Sequence, residues 1–410
     1  MTPNIAIIGG GPAGLVLAIS LARRGIPATI FEAMDNPLNL EKYNPSRSYA
    51  IDMTGHGLKA VRHIDAVAEF DKTLIRFSGL KLNGKTMTHW DEPGWIASRG
   101  DIVSVLTRIA QERHADLIDI RFKRQLGKID VQAGVFDIQH SDTGQSDTFG
   151  PYDLVVAADG GGSTIREQAA EQVSEYTLSR EDIGFYFKML ALDKATQDLD
   201  EHYLQVLSKS LLMVAGAING PGGKDDPLWF SAVPYPDDHR YDSLESVKQD
   251  LEKRCPEVLK YCSDEALTAF ANLPAQNIGR ITSSTRLYAG RVVFLGDAAI
   301  SYPPIGQGIN GAMESAKILD EALIRRSRVA ADIESLVADA LKEYNAQWLP
   351  ETQAVAWMGR KTNQSNRWHV IRGMVLAFLK LSAMDLIKSS TISYAEAMRR
   401  ARRLGPVWWG

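Results

Sequence analysis

Short unbroken apolar runs alternate with helix-spaced ones along this chain. Ile5-Ala-Ile-Ile8 is apolar at every position, which predicts a strand buried on both faces. A helix is expected next, through Arg24, followed by a second strand, Ala28-Thr-Ile-Phe-Glu32. Strand-like runs follow at Leu74 to Phe77, at Leu80 to Lys85 with a turn at Asn83-Gly84, and at Met87 to Trp90. Ile102, Val105, Leu106 and Ile109 have helical spacing, so Asp101 to Arg113 reads as a helix with Asp101 as its N-cap. Leu117 to Phe122, Val135 to His140 and Leu154 to Ala158 read as strands. From 183 to 235 β-type runs recur (Phe185 to Leu190, Leu211 to Ala215, Leu228 to Val233), with Gly220 to Pro227 as a turn-rich loop. Ser243 to Arg254, Ala312 to Arg326 and much of 332 to 403 are expected to be helical.

Three strand ends carry candidate chemistry. Ile5 to Ile8 leads into Gly9-x-Gly11-x-x-Gly14. Gly9 suits a tight turn, Gly11 lets a pyrophosphate approach the backbone, and Gly14 lets helix and strand pack closely. Glu32 then ends the second strand, where a ribose hydroxyl needs an acceptor. Taken alone, the glycines could be a plain turn; the strand, helix and acid around them favour dinucleotide binding. The second motif is Asp159-Gly160-x-x-Ser163-Thr164-x-Arg166, directly after Leu154 to Ala158. The third is Gly296-Asp297 after Arg291 to Leu295, followed by Pro303-Pro304-Ile-Gly306-Gln-Gly308-Ile-Asn310. Each delivers a carboxylate to the carboxyl edge of a parallel sheet, where ligands bind. The helix opened by the last glycines could stabilise negative charge on a reduced ring.

Composition narrows this further. The chain has 410 residues, 45% of them hydrophobic, enough for a sizeable core and two or three domains. A net charge of −4 argues against nucleic acid as a partner. Cys255 and Cys262 are too few for a disulfide framework and wrongly spaced for zinc or a CxxC site. With strand signal beginning at once and no signal peptide expected, a reducing cytoplasm fits best. Val370 to Ile387 is apolar but holds Arg372, Lys380 and Asp385, so it reads as a buried or interfacial helix rather than a bilayer span. The eight histidines show no metal spacing, and His56, His63 and His89 are expected to be solvated or capped.

The three motifs together resemble those of the FAD-dependent single-component aromatic hydroxylases, over residues 4 to about 325 and more weakly to about 400. The resemblance implies an α/β fold: a Rossmann-like FAD-binding domain (1–70, 98–180, 270–330), an inserted β-sheet substrate domain (71–97, 181–269) and a C-terminal helical region (331–410). It implies FAD with its pyrophosphate at Gly9, Gly11, Pro12, Ala13 and Gly14, its adenosine ribose at Glu32 beside Ala33, and its ribityl-pyrophosphate near Asp297. It also implies Gly306, Gly308, Ile309 and Asn310 beside the flavin ring, Asp159 serving both FAD and NAD(P)H, and Arg47, Arg99, Leu126 and Thr164 at the cofactor. Within that family the kynurenine-hydroxylating branch has the most similar pattern, in Arg47-Ser-Tyr-Ala-Ile, Ser98-Arg99-Gly-Asp and Ile392-Ser-Tyr394-Ala-Glu-Ala. Tyr394 matches a tyrosine at the substrate end of that branch. Phe77, Asp91 and Trp348 depart from it, standing where the branch carries arginine, tyrosine and asparagine; Ile300 replaces a histidine. Without the arginine clamp for a carboxylate, a more apolar aromatic is expected in place of an amino acid.

The chemistry the resemblance implies is hydroxylation of a small aromatic by O2 through a flavin C4a-hydroperoxide, with NAD(P)H as reductant. The cofactor then carries the reaction, and no metal or catalytic carboxylate pair is required. Pro304 and Tyr394 are weak catalytic candidates; a plain strand-to-helix linker is the equal alternative for the first and a helix-packing tyrosine the alternative for the second. Met213, Phe230 and Phe187 are candidates for the substrate wall, though core packing explains each singly. A flavin reductase or other flavin oxidoreductase acting on an apolar or prenyl substrate is the alternative function. The basic tail from Met398, with Trp408 and Trp409, could make peripheral membrane contact; a solvated helix end is the simpler reading.

Overall fold

The structure, a computed structural model, describes residues 2–40, 49–82, 84–195, 199–207, 213–302, 305–362, 386–388 and 392–403. Arg47, Pro303 and Pro304, residues 404–410 and all of Val370 to Ile387 except its last two residues lie outside these ranges.

Ile5–Ile8 lies inside a six-stranded sheet ordered Tyr288–Ala289, Val292–Phe294, Leu154–Ala157, Ile5–Ile8, Ala28–Phe31, Ile118–Arg121. Every neighbouring pair is parallel except the first. The register decides where the motifs go. Ile8 aligns with Ala157 and with Phe31, and Ala157 aligns with Phe294, so the strands before all three motifs and before Glu32 end level at one sheet edge. That edge is the carboxyl edge, the ligand-binding one in such sheets. Helix Pro12–Ala22 is buried at every position, as an all-round apolar helix must be. It packs between helices Arg99–Arg113 and Gly308–Ser327. On Phe31 rest Phe136 and Phe149, from a three-stranded antiparallel sheet of Arg124–Asp130, Val135–His140 and Ser146–Phe149.

A second sheet has eight strands, in the order Gln276–Asn277, Tyr186–Ala191, Gly223–Tyr235, Val214–Gly220, Tyr203–Val206, Ile75–Leu82, Lys85–Ala97, Ile51–Met53. Both of its edge strands come from ranges that the sequence assigned to the FAD-binding unit. Helices Leu244–Arg254 and Asp264–Asn272 cover it, burying Val247, Leu251, Leu267 and Phe270 with Leu190, Trp229 and Val233.

Several local expectations are corrected. Ser98, not Asp101, caps helix Arg99–Arg113; Asp101 is the third helical residue and completes a capping box, accepting from Ser98 N at 3.2 Å. The turn-rich loop from Gly220 shrinks to Pro221-Gly222, because Gly223 already pairs with Gly220 and Lys224 to Asp226 lie in the strand. Met87 to Trp90 belongs to one long strand, Lys85–Ala97. His56 and His63 are not simply solvated: His56 is buried against Glu314, and His63 meets Asp320 Oδ2 at 2.7 Å.

At the C-terminal side, helix Ile333–Thr362 packs on Gly308–Ser327, and helix Tyr394–Arg403 packs on Ile333–Thr362. The latter buries Tyr394, Ala397 and Ala401 and exposes Arg399, Arg400, Arg402 and Arg403. Among the described residues no helix is long and apolar enough to cross a membrane.

Candidate flavin site

The glycine loop is built to admit a ligand from one side only. Gly9 has φ +109°, and a side-chain carbon there would lie 2.4 Å from the carbonyl oxygen of Ala158. At Gly14 it would lie 2.1 Å from Gly9 O. Both glycines are therefore fixed by backbone packing. Gly11 differs: a carbon there would meet only Arg99 Nη2 at 3.5 Å and Ala158 O at 4.0 Å, so its outer side is open. Glu32 closes the loop from the neighbouring strand, its Oε2 accepting from Gly10 N at 2.6 Å and its Oε1 from Met34 N at 2.7 Å. Ala33 follows it at the same edge, and Pro12 and Ala13 open the buried helix.

The second and third motifs are locked together by a residue that the sequence placed in a motif but gave no task. Arg166 is 2% exposed. Its Nη1 donates to Asp297 O at 3.0 Å and to Ala298 O at 3.1 Å, and its Nη2 donates to Gly161 O at 2.7 Å. One planar guanidinium thus fastens both loops. Asp159 is half-buried, and its Oδ1, shielded from solvent, has no hydrogen-bond partner among the described residues. Burial pushes the Asp159 carboxyl up, and hydrogen bonds from Ser163 and from nearby backbone offset only part of this. Asp297 is likewise pushed up by burial, opposed by the charges of Arg99 and Arg166. Arg99 therefore faces both Gly11 and Asp297. Gly161 and Gly308 flank Asp297: a carbon on either would come to 4.0 Å of it. Thr164 starts the helix Thr164–Gln172 and is exposed. Leu126, on the three-stranded sheet, is half-buried against the core.

Two half-buried carboxylates, one of them with an unpartnered Oδ1, an open glycine loop and a helix N-terminus, all at one sheet edge, fit a ligand with a pyrophosphate and several hydroxyls. The FAD binding domain family matches residues 2–356. The chain belongs to that family. It is similar to kynurenine 3-monooxygenase of Salinispora tropica, 24% identical over 98% of this chain and 91% of that one. The same enzyme of Flavobacterium johnsoniae is 25% identical over 78% and 72%. Among solved structures, a 2-methyl-3-hydroxypyridine-5-carboxylic acid oxygenase has TM-score 0.62 at 18% identity, covering 91% of this chain and 96% of that one. PqsL of Pseudomonas aeruginosa, solved in complex with 2-aminobenzoylacetate, has TM-score 0.62 at 19% identity, covering 88% and 96%. The chain is a FAD-dependent monooxygenase, with FAD as cofactor and NAD(P)H as reductant.

In this FAD monooxygenase the loop expected beside the ring is braced from behind. Asn310 is fully buried. Its Oδ1 accepts from Thr54 N at 3.0 Å, and its Nδ2 donates to Asp52 O at 2.9 Å and Gly306 O at 3.1 Å. Both ends of the amide are committed to backbone, so a contact from Asn310 to a flavin falls to its main chain. Gly306, at φ +70°, is at the turn; a carbon there would meet Asp52 Oδ1 at 3.4 Å. Gly308 and Ile309 begin the following helix.

Tyr394 reaches the same loop indirectly. It is fully buried, its hydroxyl donates to Gln307 Oε1 at 2.8 Å, and its ring stacks on His56 at 3.6 Å. Trp348 meets its edge at 6.2 Å. The three apolar wall candidates separate: Phe187 and Phe230 cluster with Met189 and Ile218, whereas Met213 belongs to the larger cluster under the covering helices. Phe187 touches the ring of Tyr49, at 5.9 Å, which places the Phe230 cluster beside Tyr49. Sequence reasoning missed His56, Gln307 and Lys388 here, because isolated polar residues in apolar surroundings carry no spacing signal.

Proposed function

We propose that the chain hydroxylates a small, uncharged aromatic ring, with FAD held along the sheet edge formed by the three motifs. The observation that carries this is the set of three bonds from Arg166, which makes the Asp159 and Asp297 loops one rigid wall facing the glycine loop. Gly9, Gly11, Pro12, Ala13 and Gly14 would hold the pyrophosphate, with Arg99 as its counter-charge; Glu32 and Ala33 would meet the adenosine ribose. Asp159 and Asp297 would accept from ribityl hydroxyls, and Gly306 to Asn310 would back the flavin ring. The bound FAD would supply the redox chemistry, in which hydride from NAD(P)H and O2 put one oxygen atom on the substrate and release the other as water. The protein's own part is orientation and dryness: the Phe187, Met189, Ile218 and Phe230 cluster offers an apolar wall that excludes water from the reacting ring.

The test is NAD(P)H oxidation by the FAD-loaded protein against a panel of aromatics, with mass analysis of products. The expected result is several-fold faster oxidation with a compound that gains one oxygen atom. Efficient turnover that adds hydrogen and no oxygen would instead support a flavin reductase acting on an apolar or prenyl substrate. Peripheral membrane contact belongs to this proposal only at the four exposed arginines of Tyr394–Arg403 and the residues after them, because the apolar face of that helix is already packed on the protein. Salt-reversible sedimentation with anionic vesicles is the expected result; no sedimentation contradicts it.

A further inference from the structure

We infer that Lys388 and Trp90 form the polar end of the substrate site, and that this pair selects an uncharged aromatic bearing a carbonyl oxygen over an aromatic carboxylate or amino acid. The inference rests on the aromatic hydroxylase reading and names the substrate class of that same site. The Lys388 side chain is 0% exposed and forms an ion pair with Asp52 Oδ2. Its Nζ lies 5.8 Å from the centre of the Phe77 ring and 5.2 Å from that of Trp90, and these two rings pack at 5.2 Å from each other. The location joins the two halves of the site. Asp52, on the edge strand Ile51–Met53, abuts Gly306, and its carbonyl accepts from Asn310, so it supports the loop that backs the flavin ring. Phe77 and Trp90 belong to the second sheet.

Donors outnumber acceptors at this junction. Lys388 Nζ has three N–H groups and only the Asp52 carboxylate beside it, so at least one N–H is left over, and Trp90 Nε1 makes no hydrogen bond among the described residues. Buried donors without acceptors are costly, and an acceptor oxygen between them would remove that cost. The charge balance then selects the kind of oxygen. Asp52 already neutralises Lys388. A substrate carboxylate would leave one uncompensated negative charge in a dry, ring-lined site, whereas a carbonyl would satisfy both donors and add none. Trp90, half-buried and packed on the fully buried Phe77, offers ring surface for an aromatic body beside that oxygen.

The test uses the full-length FAD-loaded protein and two near-isosteric probes, 2-hydroxyphenyl methyl ketone and salicylate, titrated by the change in flavin absorption. The ketone is expected to bind at least tenfold more tightly. Trp90→Phe, which removes one N–H and little volume, should weaken the ketone several-fold. Asp52→Asn, which leaves the Lys388 charge unbalanced, should shift preference toward salicylate by tenfold or more. Lys388→Met alone would strand Asp52, so the double variant Lys388→Met/Asp52→Asn is the one to compare, with probe binding measured per flavin bound; it should bind both probes weakly. Equal or tighter binding of salicylate by the wild type, or an unchanged preference in all three variants, overturns the inference. If aromatics bind but carboxylates win, only this inference falls. If no member of a wider aromatic panel perturbs the flavin or stimulates NAD(P)H oxidation, the hydroxylase reading falls with it.

Discussion

Arg166→Met is expected to abolish retention of FAD through purification. Arg166 is 2% exposed and donates to three backbone carbonyls on two loops that no strand pairing joins. Methionine fills much of the space but donates nothing, so the carbonyls of Gly161, Asp297 and Ala298 lose their partner. Each unsatisfied buried acceptor costs about 1–3 kcal/mol. If roughly 3 kcal/mol of that sum falls on the conformation that binds cofactor, the dissociation constant for FAD rises more than about a hundredfold. Arg166→Lys should be intermediate, since an ammonium can meet one or two of these acceptors but not span both loops as a fork. Cofactor content by absorption, together with FAD titration of the stripped protein, measures this. Full occupancy in Arg166→Met would show that the two loops hold their shape without the brace.

The second large effect is expected at Asp297, and it carries a pH signature. Asp297→Asn keeps the shape but cannot ionise. FAD affinity should fall by about 10- to 100-fold, the range for losing a charged acceptor of hydroxyl donors. In the unliganded protein, burial is the main influence on the Asp297 carboxyl and raises it above the usual carboxylate range, against Arg99 and Arg166. The folded state therefore holds more protons than the unfolded chain, and stability without FAD falls as pH rises through that raised value. Hydroxyl donors from a bound cofactor favour the ionised form. Binding then releases a proton, so FAD affinity should increase with pH, by up to about tenfold per unit, and level off above the raised value. Asp159 is raised for the same first reason, burial, and contributes in the same direction. The slope should shrink in Asp297→Asn and persist only as far as Asp159 supplies it. An identical slope in the variant would remove Asp297 from the site.

Much of this architecture was legible in the order of apolar runs. Strands that are apolar at every position must be buried on both faces, and a Gly or Asp placed just past each one must emerge where the strands end. The register of Ile8, Phe31, Ala157 and Phe294 made that inference good for Gly9, Glu32, Asp159 and Asp297 at once. What stayed hidden was the bracing. Arg166 could be seen in its motif, but its three acceptors are backbone carbonyls, which no residue type announces. Asn310 was read as facing the ring; it holds Asp52, Thr54 and Gly306 in place, a task set by tertiary packing. The segment around Tyr394 marks that tyrosine, but its stack on His56 joins residues far apart in the chain and no pattern announces it. The helix cap lies three residues before the expected one, at Ser98 instead of Asp101, because Arg99 and Gly100 carry no apolar signal and the helix begins before its periodicity does.

The central claim is that one flavin lies along the edge where the three motifs end, with its ring toward the second sheet. A crystal structure of the FAD-loaded protein tests it most directly. Pyrophosphate density at Gly9 to Gly14, ribityl hydroxyls within hydrogen-bond distance of Asp159 or Asp297, and a flavin ring in front of Gly308 to Asn310 are the expected result. Density for the cofactor elsewhere, or a ring separated from both carboxylates, would contradict it.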